Sequence, residues 1–194
     1  DSRAEQDEAP VHTVRLSPFF LSKYEMTQGQ WSRCTGENPS MFKGRLSDPR
    51  PLPVEQVSWF ECVEKLHRLG LALPSEAQWE YGASAGGPGT TLTSAGDREG
   101  GRHSPVGSEA PNSQGLHDVL GNMWEWCLVD YTAIFYLNSP IQDPVATSQS
   151  PYRVVRGGGL GPESQARVSS RWGASPALTE SSLGLRPARQ LDKP

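Results

Sequence analysis

The sequence predicts an α+β domain with short helices, short strands and long irregular loops. The chain of 194 residues contains 20 glycines and 17 prolines, and both residue types favour turns and interrupt helices. Six tryptophans argue against disorder, because such large rings need a core or an interface. These observations exclude a helical bundle, and the length is sufficient to bury a sizeable core.

The segment after a polar lead-in (residues 1–10) is predicted to be a strand with a bend. Its apolar side chains alternate with polar ones, as in a half-buried strand, and Pro18 marks the bend. The alternating apolar residues are Val14, Leu16, Phe19 and Leu21.

Three short helices are predicted from capping boxes, in which a serine or threonine starts the helix and a glutamine or glutamate three residues later reaches back to it. The second helix is expected to run from Trp59 to about Leu69, with Gly70 at its end. Its apolar face is predicted to contain Phe60, Val63, Leu66 and either Cys62 or Leu69. The capping pairs are Thr27 with Gln30, Ser58 with Glu61, and Ser75 with Gln78.

The second half of the chain is predicted to contain loops and short strands. Residues 84–114 are rich in Gly, Ser, Pro and Thr, which indicates long loops. Three strand-like runs follow, at Tyr152–Arg156, Ala166–Arg171 and Leu183–Arg189. Since no repeat or linker separates these parts, residues 1–194 are predicted to form one domain.

Charge and cysteine content exclude several functional classes. With 18 basic and 22 acidic residues and no basic block, nucleic acid is not an expected partner. No apolar run approaches the roughly 20 residues that span a membrane, and no leader is visible. Cys34, Cys62 and Cys127 are widely spaced, which indicates free buried thiols and favours a cytoplasmic location, with one disulfide plus a free thiol as the alternative.

Six segments occur in a specific order: EAPVHTVRLSPFFLSKYEMTQGQW, PVEQVSWFECVEKL, LALPSEAQWEYGASAGG, GLHDVLGNMWEW, RVVRGGG and SSLGLRPAR. This series resembles the formylglycine-generating enzyme (sulfatase-modifying factor) family, from about Glu8 to Arg189. The resemblance implies a C-type lectin-like fold, with two helices and a twisted, mostly antiparallel sheet amid irregular loop. The opening strand of the family is missing here, which is consistent either with excision from a longer, multidomain protein or with loss of that first strand.

The founding enzymes of this family oxidise a substrate cysteine to formylglycine with a pair of active-site cysteines. The resemblance places that pair within Gly159–Arg171, which contains no cysteine. Copper(I) capture and thiol exchange both require thiolate sulfur, so neither this reaction nor bound copper is expected. A second enzymatic branch of the family uses a non-haem iron held by a histidine triad, and because the histidines here are widely scattered, bound iron is not expected either. The scattered histidines are interpreted as structural or solvent-facing: His12, His67, His103 and His117. The alternative is an enzyme that uses the family cavity for another oxidation or maturation step.

The resemblance also implies a calcium site in residues 118–125. Carried over by position, the ligands are the side chains of Asp118 and Glu125 and the backbone carbonyls of Gly121 and Met123. This set suits Ca²⁺, which takes about 6–8 oxygen ligands. In the alternative interpretation, Asp118 caps a turn and Glu125 pairs with an arginine.

Two C-terminal loops carry the functional prediction. Gly159–Gln165 and Trp172–Ser182 lie between framework segments, a layout similar to that of the variable proteins of diversity-generating retroelements. Exposed loop side chains tolerate change because they contribute little to stability. We therefore predict a non-catalytic recognition domain for a protein surface or, second, a glycan, with ordinary solvent-facing loops as the alternative. The predicted contact residues are Leu160, Pro162, Glu163, Ser164, Gln165, Trp172, Ala174, Leu178, Thr179 and Glu180.

Overall fold

The structure, a computed structural model, describes residues 4–44, 51–85, 102–159 and 167–191. The helices are α1 (Gln28–Thr35), α2 (Trp59–Arg68) and α3 (Glu76–Ala83). The strands are β1 (Phe19–Leu21), β2 (Trp124–Asp130), β3 (Arg153–Arg156), β4 (Arg171–Ala174), β5 (Leu183–Gly184) and β6 (Ala188–Gln190). They form a four-stranded sheet in the order β4-β3-β2-β5 and a two-stranded ribbon of β1 and β6. The predicted α+β class is confirmed.

All three predicted capping boxes are present. In each box, the side-chain oxygen of the cap accepts the backbone N–H of the residue three positions on, whose own side chain accepts the N–H of the cap. These reciprocal hydrogen bonds satisfy N–H groups that a helix leaves unpaired at its start. The three helices therefore begin where the sequence predicts.

Helix α2 buries Cys62 and Leu66, which lie one turn apart. The prediction that Phe60 shares this face is wrong, because Phe60 is 54% exposed. A position two residues before Cys62 lies about 200° around the helix from it. The Phe60 ring instead contacts Trp59 edge-on, with the ring centroids 5.6 Å apart.

The four-stranded sheet lies between two hydrophobic cores. Strands β2, β3 and β4 are antiparallel, whereas β5 runs parallel to β2. Trp126 and Val155 pack into one core with residues of α2. Cys127 and Val154 pack into the other with residues of α3. Since successive strand residues point to opposite faces, the adjacent residues Trp126 and Cys127 serve different cores.

The predicted C-terminal strands differ from those in the structure. Of the run Ala166–Arg171, the structure describes residues 167–171, and among these only Arg171 is in a strand, because the residues before it form a turn closed by a hydrogen bond from Ser170 N to Arg167 O of 3.2 Å. The run Leu183–Arg189 is divided into β5 and β6. Pro187 lies between them and has no N–H to donate to a sheet. Before β1, the predicted first strand forms a single bridge, at Arg15.

The cysteines and tryptophans occupy mostly interior positions. Cys62 and Cys127 are buried and all three cysteines are free, but the prediction of a buried thiol is wrong for Cys34, which is exposed on α1. Trp79 and Trp126 are almost completely buried. No helix in the described part of the chain combines the length and apolar character of a membrane-spanning segment.

Candidate functional site

A buried ion pair between Arg186 and Glu125 links β2 to the segment between β5 and β6. The Arg186 side chain is fully buried, and its Nη2 donates to Glu125 Oε1 at 2.8 Å, while its Nε is 3.1 Å from Glu125 Oε2. Trp79 Nε1 donates to the same Oε2 at 2.7 Å. The remaining guanidinium N–H groups donate to the carbonyls of Ser22 and His117. One arginine thus connects the N-terminal segment, the turn before β2, and β2 itself.

Glu25 and Asn122 extend this buried network, and neither is a residue that the sequence singled out. Asn122 Nδ2 donates to both carboxylate oxygens of Glu25, at 3.0 and 3.1 Å. Burial raises the pKa of the Glu25 carboxyl well above its usual range, and Arg186 opposes this effect, while the negative charges of Glu125 and Asp118 add to it. The buried guanidinium of Arg186 therefore interacts electrostatically with three buried carboxyl groups, those of Glu125, Glu25 and Asp118.

The carboxylates predicted to bind calcium already accept hydrogen bonds. The Asp118 oxygens accept the backbone N–H groups of Gly107 and Glu109. The Glu125 oxygens accept from Arg186 and Trp79. Within the described residues, no group of three His, Cys, Asp or Glu side chains is arranged to hold a metal ion. As placed, these residues do not fit a shared ion, and their contacts correspond to the capped turn and ion pair of the alternative interpretation.

The backbone carbonyls of the proposed calcium set are also part of the turn. Gly121 O accepts the N–H of Met123 at 2.7 Å, and Gly121 N donates to Gly157 O at 2.8 Å. Gly121 has a φ of 82°, and Asp118 and Asn122 also have positive φ. These left-handed conformations are favourable for glycine and tolerated by Asp and Asn. The turn is therefore built from local backbone geometry, and calcium binding stays a prediction of the family resemblance alone.

Residues 175–182, here named the contact loop, are fixed to three other segments by their backbone. Gln56 N donates to Glu180 O and Trp59 N to Pro176 O, each at 3.1 Å, and Trp124 N donates to Ser182 O at 2.8 Å. His103 Nε2 also contacts the carbonyl of Ser181. Because the anchors are main-chain carbonyls, the side chains of the loop remain available for other contacts.

The predicted contact residues fall into three groups. Trp172, Thr179 and Glu180 are exposed, so they are accessible to a ligand. Leu178 is half-buried against the core. Ala174 is only 2% exposed and does not lie on an accessible surface, because it faces the core side of β4. Leu160, Pro162, Glu163, Ser164 and Gln165 lie outside the described residues.

Trp172 is supported by a second tryptophan. It is 42% exposed, and its ring centroid lies 6.0 Å from that of Trp124. A Cβ atom on Gly159 would lie 2.7 Å from Trp124 Cδ1, a distance that real side chains do not adopt. Glycine at this position therefore allows the Trp124 ring to lie against the backbone and beneath Trp172.

His103 is a structural residue of the site that sequence reasoning did not distinguish from the other histidines. It is 7% exposed, and its Nδ1 lies 2.8 Å from the carbonyl oxygen of Asn122. Its other ring nitrogen contacts the contact loop, so the imidazole connects that loop to the turn before β2. No signal in the sequence indicates this, because His103 follows a long low-periodicity segment.

None of the three cysteines lies within Gly159–Arg171, where the resemblance places the family's catalytic pair. Cys62 and Cys127 are completely buried, and burial raises the pKa of both thiols well above the usual value. Cys127 also interacts electrostatically with two buried arginines, which are themselves in ion pairs: Arg156 with Glu80, and Arg171 with Glu76 at 2.7 Å. A thiol kept in its neutral form by burial does not supply a thiolate.

We expect Glu125→Gln to destabilise the protein by about 3–5 kcal/mol, because it leaves the Arg186 charge buried without its partner. The matched control is Glu64→Gln, which breaks the exposed pair with Arg68 and should cost at most about 1 kcal/mol. Urea unfolding of both variants measures the difference. Equal free energies of unfolding in the two variants would show that the buried pair does not stabilise the fold.

The sequence of this chain matches a known protein family, and its fold is similar to a solved structure. It matches the sulfatase-modifying factor enzyme 1-like domain over residues 1–191. The solved structure of Treponema denticola variable protein 1 is similar with a TM-score of 0.81 and 27% identity, over 93% of this chain and 87% of that one.

Two curated relatives show different contexts for such a domain. The formylglycine-generating enzyme of Streptomyces coelicolor is 29% identical over 95% of this chain and 82% of the enzyme. The serine/threonine-protein kinase Pkn1 of Chlamydia trachomatis is also 29% identical, over 96% of this chain but only 36% of the kinase. The chain thus spans about a third of the length of the chlamydial kinases that it matches. It belongs to the sulfatase-modifying factor enzyme 1-like family and has the C-type lectin-like fold of that family.

Proposed function

We propose that this domain is a non-catalytic recognition module that binds a protein surface through Trp172, Thr179 and Glu180, together with the predicted contact residues of the preceding loop. The observation that carries the proposal is the anchored contact loop. Its main-chain carbonyls are held by three backbone N–H groups from two other segments and by the His103 ring, while the side chains of Thr179 and Glu180 are exposed.

An anchored loop favours binding because little conformational entropy is lost when a partner is engaged. Ordering the backbone of a flexible loop costs roughly 1–2 kcal/mol of conformational entropy for each residue that becomes fixed. Here the backbone is already ordered, and Trp172 is held against Trp124. Tryptophan is among the residues that contribute most to protein interfaces. A half-exposed ring beside an ordered loop therefore supports a protein partner, with a glycan as the second class.

The absence of cysteine from Gly159–Arg171 argues against formylglycine generation, because thiol exchange and copper(I) capture at this place require thiolate sulfur. The likeness to Treponema denticola variable protein 1 supports a role in which the scaffold is fixed and the loops make contacts. In proteins of the length of Pkn1, a domain of this kind would serve as a targeting or sensing module beside the rest of the chain.

Calcium at residues 118–125 is tested by thermal unfolding in Ca²⁺ and in EDTA. The hydrogen bonds to the Asp118 and Glu125 carboxylates lead us to expect the same unfolding midpoint in both buffers. Magnesium serves as the control for ionic strength. A midpoint that rises with calcium concentration but not with magnesium would establish a calcium site and contradict this expectation, because a ligand of the native state raises its stability.

Photo-crosslinking tests the proposed recognition surface. We expect a benzoylphenylalanine at position 180 to form a discrete adduct with a partner protein in extract from the source cells, and Trp172→Ala to abolish that adduct. The control position is Glu64, which is exposed on α2 and outside the contact loop. Adducts of equal yield from positions 180 and 64, or adducts that survive Trp172→Ala, would contradict the proposal.

A further inference from the structure

A second surface of the domain contains an apolar cavity of about 400 Å³. It lies between the β1–β6 ribbon and the C-terminal ends of α1 and α2. Phe20, Met26, Leu69 and Leu71 contribute apolar lining, and Phe20 and Leu69 are 62% and 44% exposed. The volume lies within the range of about 300–1,000 Å³ that is usual for small-ligand sites.

Two guanidinium groups line the same cavity. Arg33 lies in the last turn of α1, and Arg189 lies in β6 directly opposite Phe20. Both side chains are exposed, and neither forms a salt bridge or side-chain hydrogen bond within the described residues. In contrast, Arg156, Arg171 and Arg186 are each paired with a glutamate. The cavity therefore combines apolar surface with positive charge that the fold itself does not neutralise.

A larger cavity in the described part of the chain, of about 620 Å³, does not combine apolar surface with unpaired positive charge. Its lining includes Glu8, Glu76 and Glu80. Each of these carboxylates is paired with an arginine: Arg167, Arg171 and Arg156 respectively. Because its charges are already balanced, that cavity offers no preference for an ionic ligand. The smaller cavity is the one whose charge specifies a ligand.

We propose that the cavity between α1, α2 and the β1–β6 ribbon binds a straight-chain amphiphilic carboxylate. The acyl chain lies against Phe20, Leu69 and Leu71, and the carboxylate meets Arg33 and Arg189. Guanidinium groups bind carboxylates through charge-assisted hydrogen bonds with a planar geometry that lysine does not provide. Burial of the acyl chain contributes roughly 25 cal/mol for each Å² of apolar surface removed from water.

This site is independent of the proposed recognition surface. Trp59, at the first turn of α2, is bonded to the contact loop, whereas Leu69, just after its last residue, lines the cavity. A helix of ten residues is about 15 Å long. Failure of one site to bind its ligand would therefore leave the other unaffected.

Calorimetric titration of the intact chain with dodecanoate, below its micelle concentration, tests the proposal. We expect saturable binding that Arg33→Glu and Arg189→Glu each weaken by about fivefold, since each loses an ion pair worth up to about 1 kcal/mol and places a repelling carboxylate in its stead. Arg15→Glu is the matched control, because Arg15 is exposed and does not line the cavity. Dodecyltrimethylammonium carries the same chain with the opposite charge and is expected to bind more weakly than dodecanoate.

The thiol of Cys34 provides a local readout in the same experiment. Cys34 lines the cavity and is exposed, whereas Cys62 and Cys127 are buried. Saturating dodecanoate should slow the alkylation of Cys34 by iodoacetamide, and this protection should disappear in Arg189→Glu but not in Arg15→Glu. Absence of dodecanoate binding, equal binding of the cationic amphiphile, or unchanged affinity in both cavity variants would each overturn the proposal.

Discussion

The arrangement of the binding face depends on the buried pair of Arg186 and Glu125. A charge that leaves water loses several kcal/mol of solvation, which only close pairing and full hydrogen bonding can offset. Here the guanidinium donates to Glu125 and to two backbone carbonyls, and the indole N–H of Trp79 donates a further hydrogen bond to the Glu125 carboxylate. Segments far apart in the chain must therefore come together for the pair to be satisfied.

The Arg186–Glu125 pair also determines the positions of groups at the surface. Glu125 is the second residue of β2 and follows Trp124 directly, so fixing the carboxylate also fixes the Trp124 ring beneath Trp172. Trp124 N in turn holds the end of the contact loop through Ser182 O. An ion pair in the interior thus determines where an exposed tryptophan and an exposed loop are located. The cavity beside Arg33 and Arg189 lies at the other end of α2, where a separate ligand could bind without disturbing this arrangement.

The sequence predicts the local features well and the long-range ones poorly. Capping boxes such as Ser58 with Glu61 involve residues three positions apart, so their geometry is readable from spacing alone. The partner of Glu125 lies 61 residues away, and nothing in the periodicity of either segment identifies it. The same limit explains Ala174. Its place in a loop or a strand depends on pairing with Arg153, which is a property of the folded sheet.

The family resemblance supplied the fold that spacing alone could not, and it is also the sole basis of the calcium prediction. The residue types at positions 118–125 match that site, whereas the hydrogen bonds depend on neighbours such as Gly107 and Glu109 that the motif does not include. His103 was missed for a related reason. A buried imidazole between two backbone carbonyls has no sequence pattern of its own.

Hydrogen exchange at the backbone N–H groups of Gln56 and Trp59 tests the anchored contact loop most directly. Trp59 is the first residue of α2, so its N–H has no partner within the helix, and both groups donate to the contact loop. A rigid loop predicts exchange at least about a thousandfold slower than in an unstructured peptide. Exchange within about tenfold of the unstructured rate at both positions would show that the loop is not held, and would contradict a preorganised binding face.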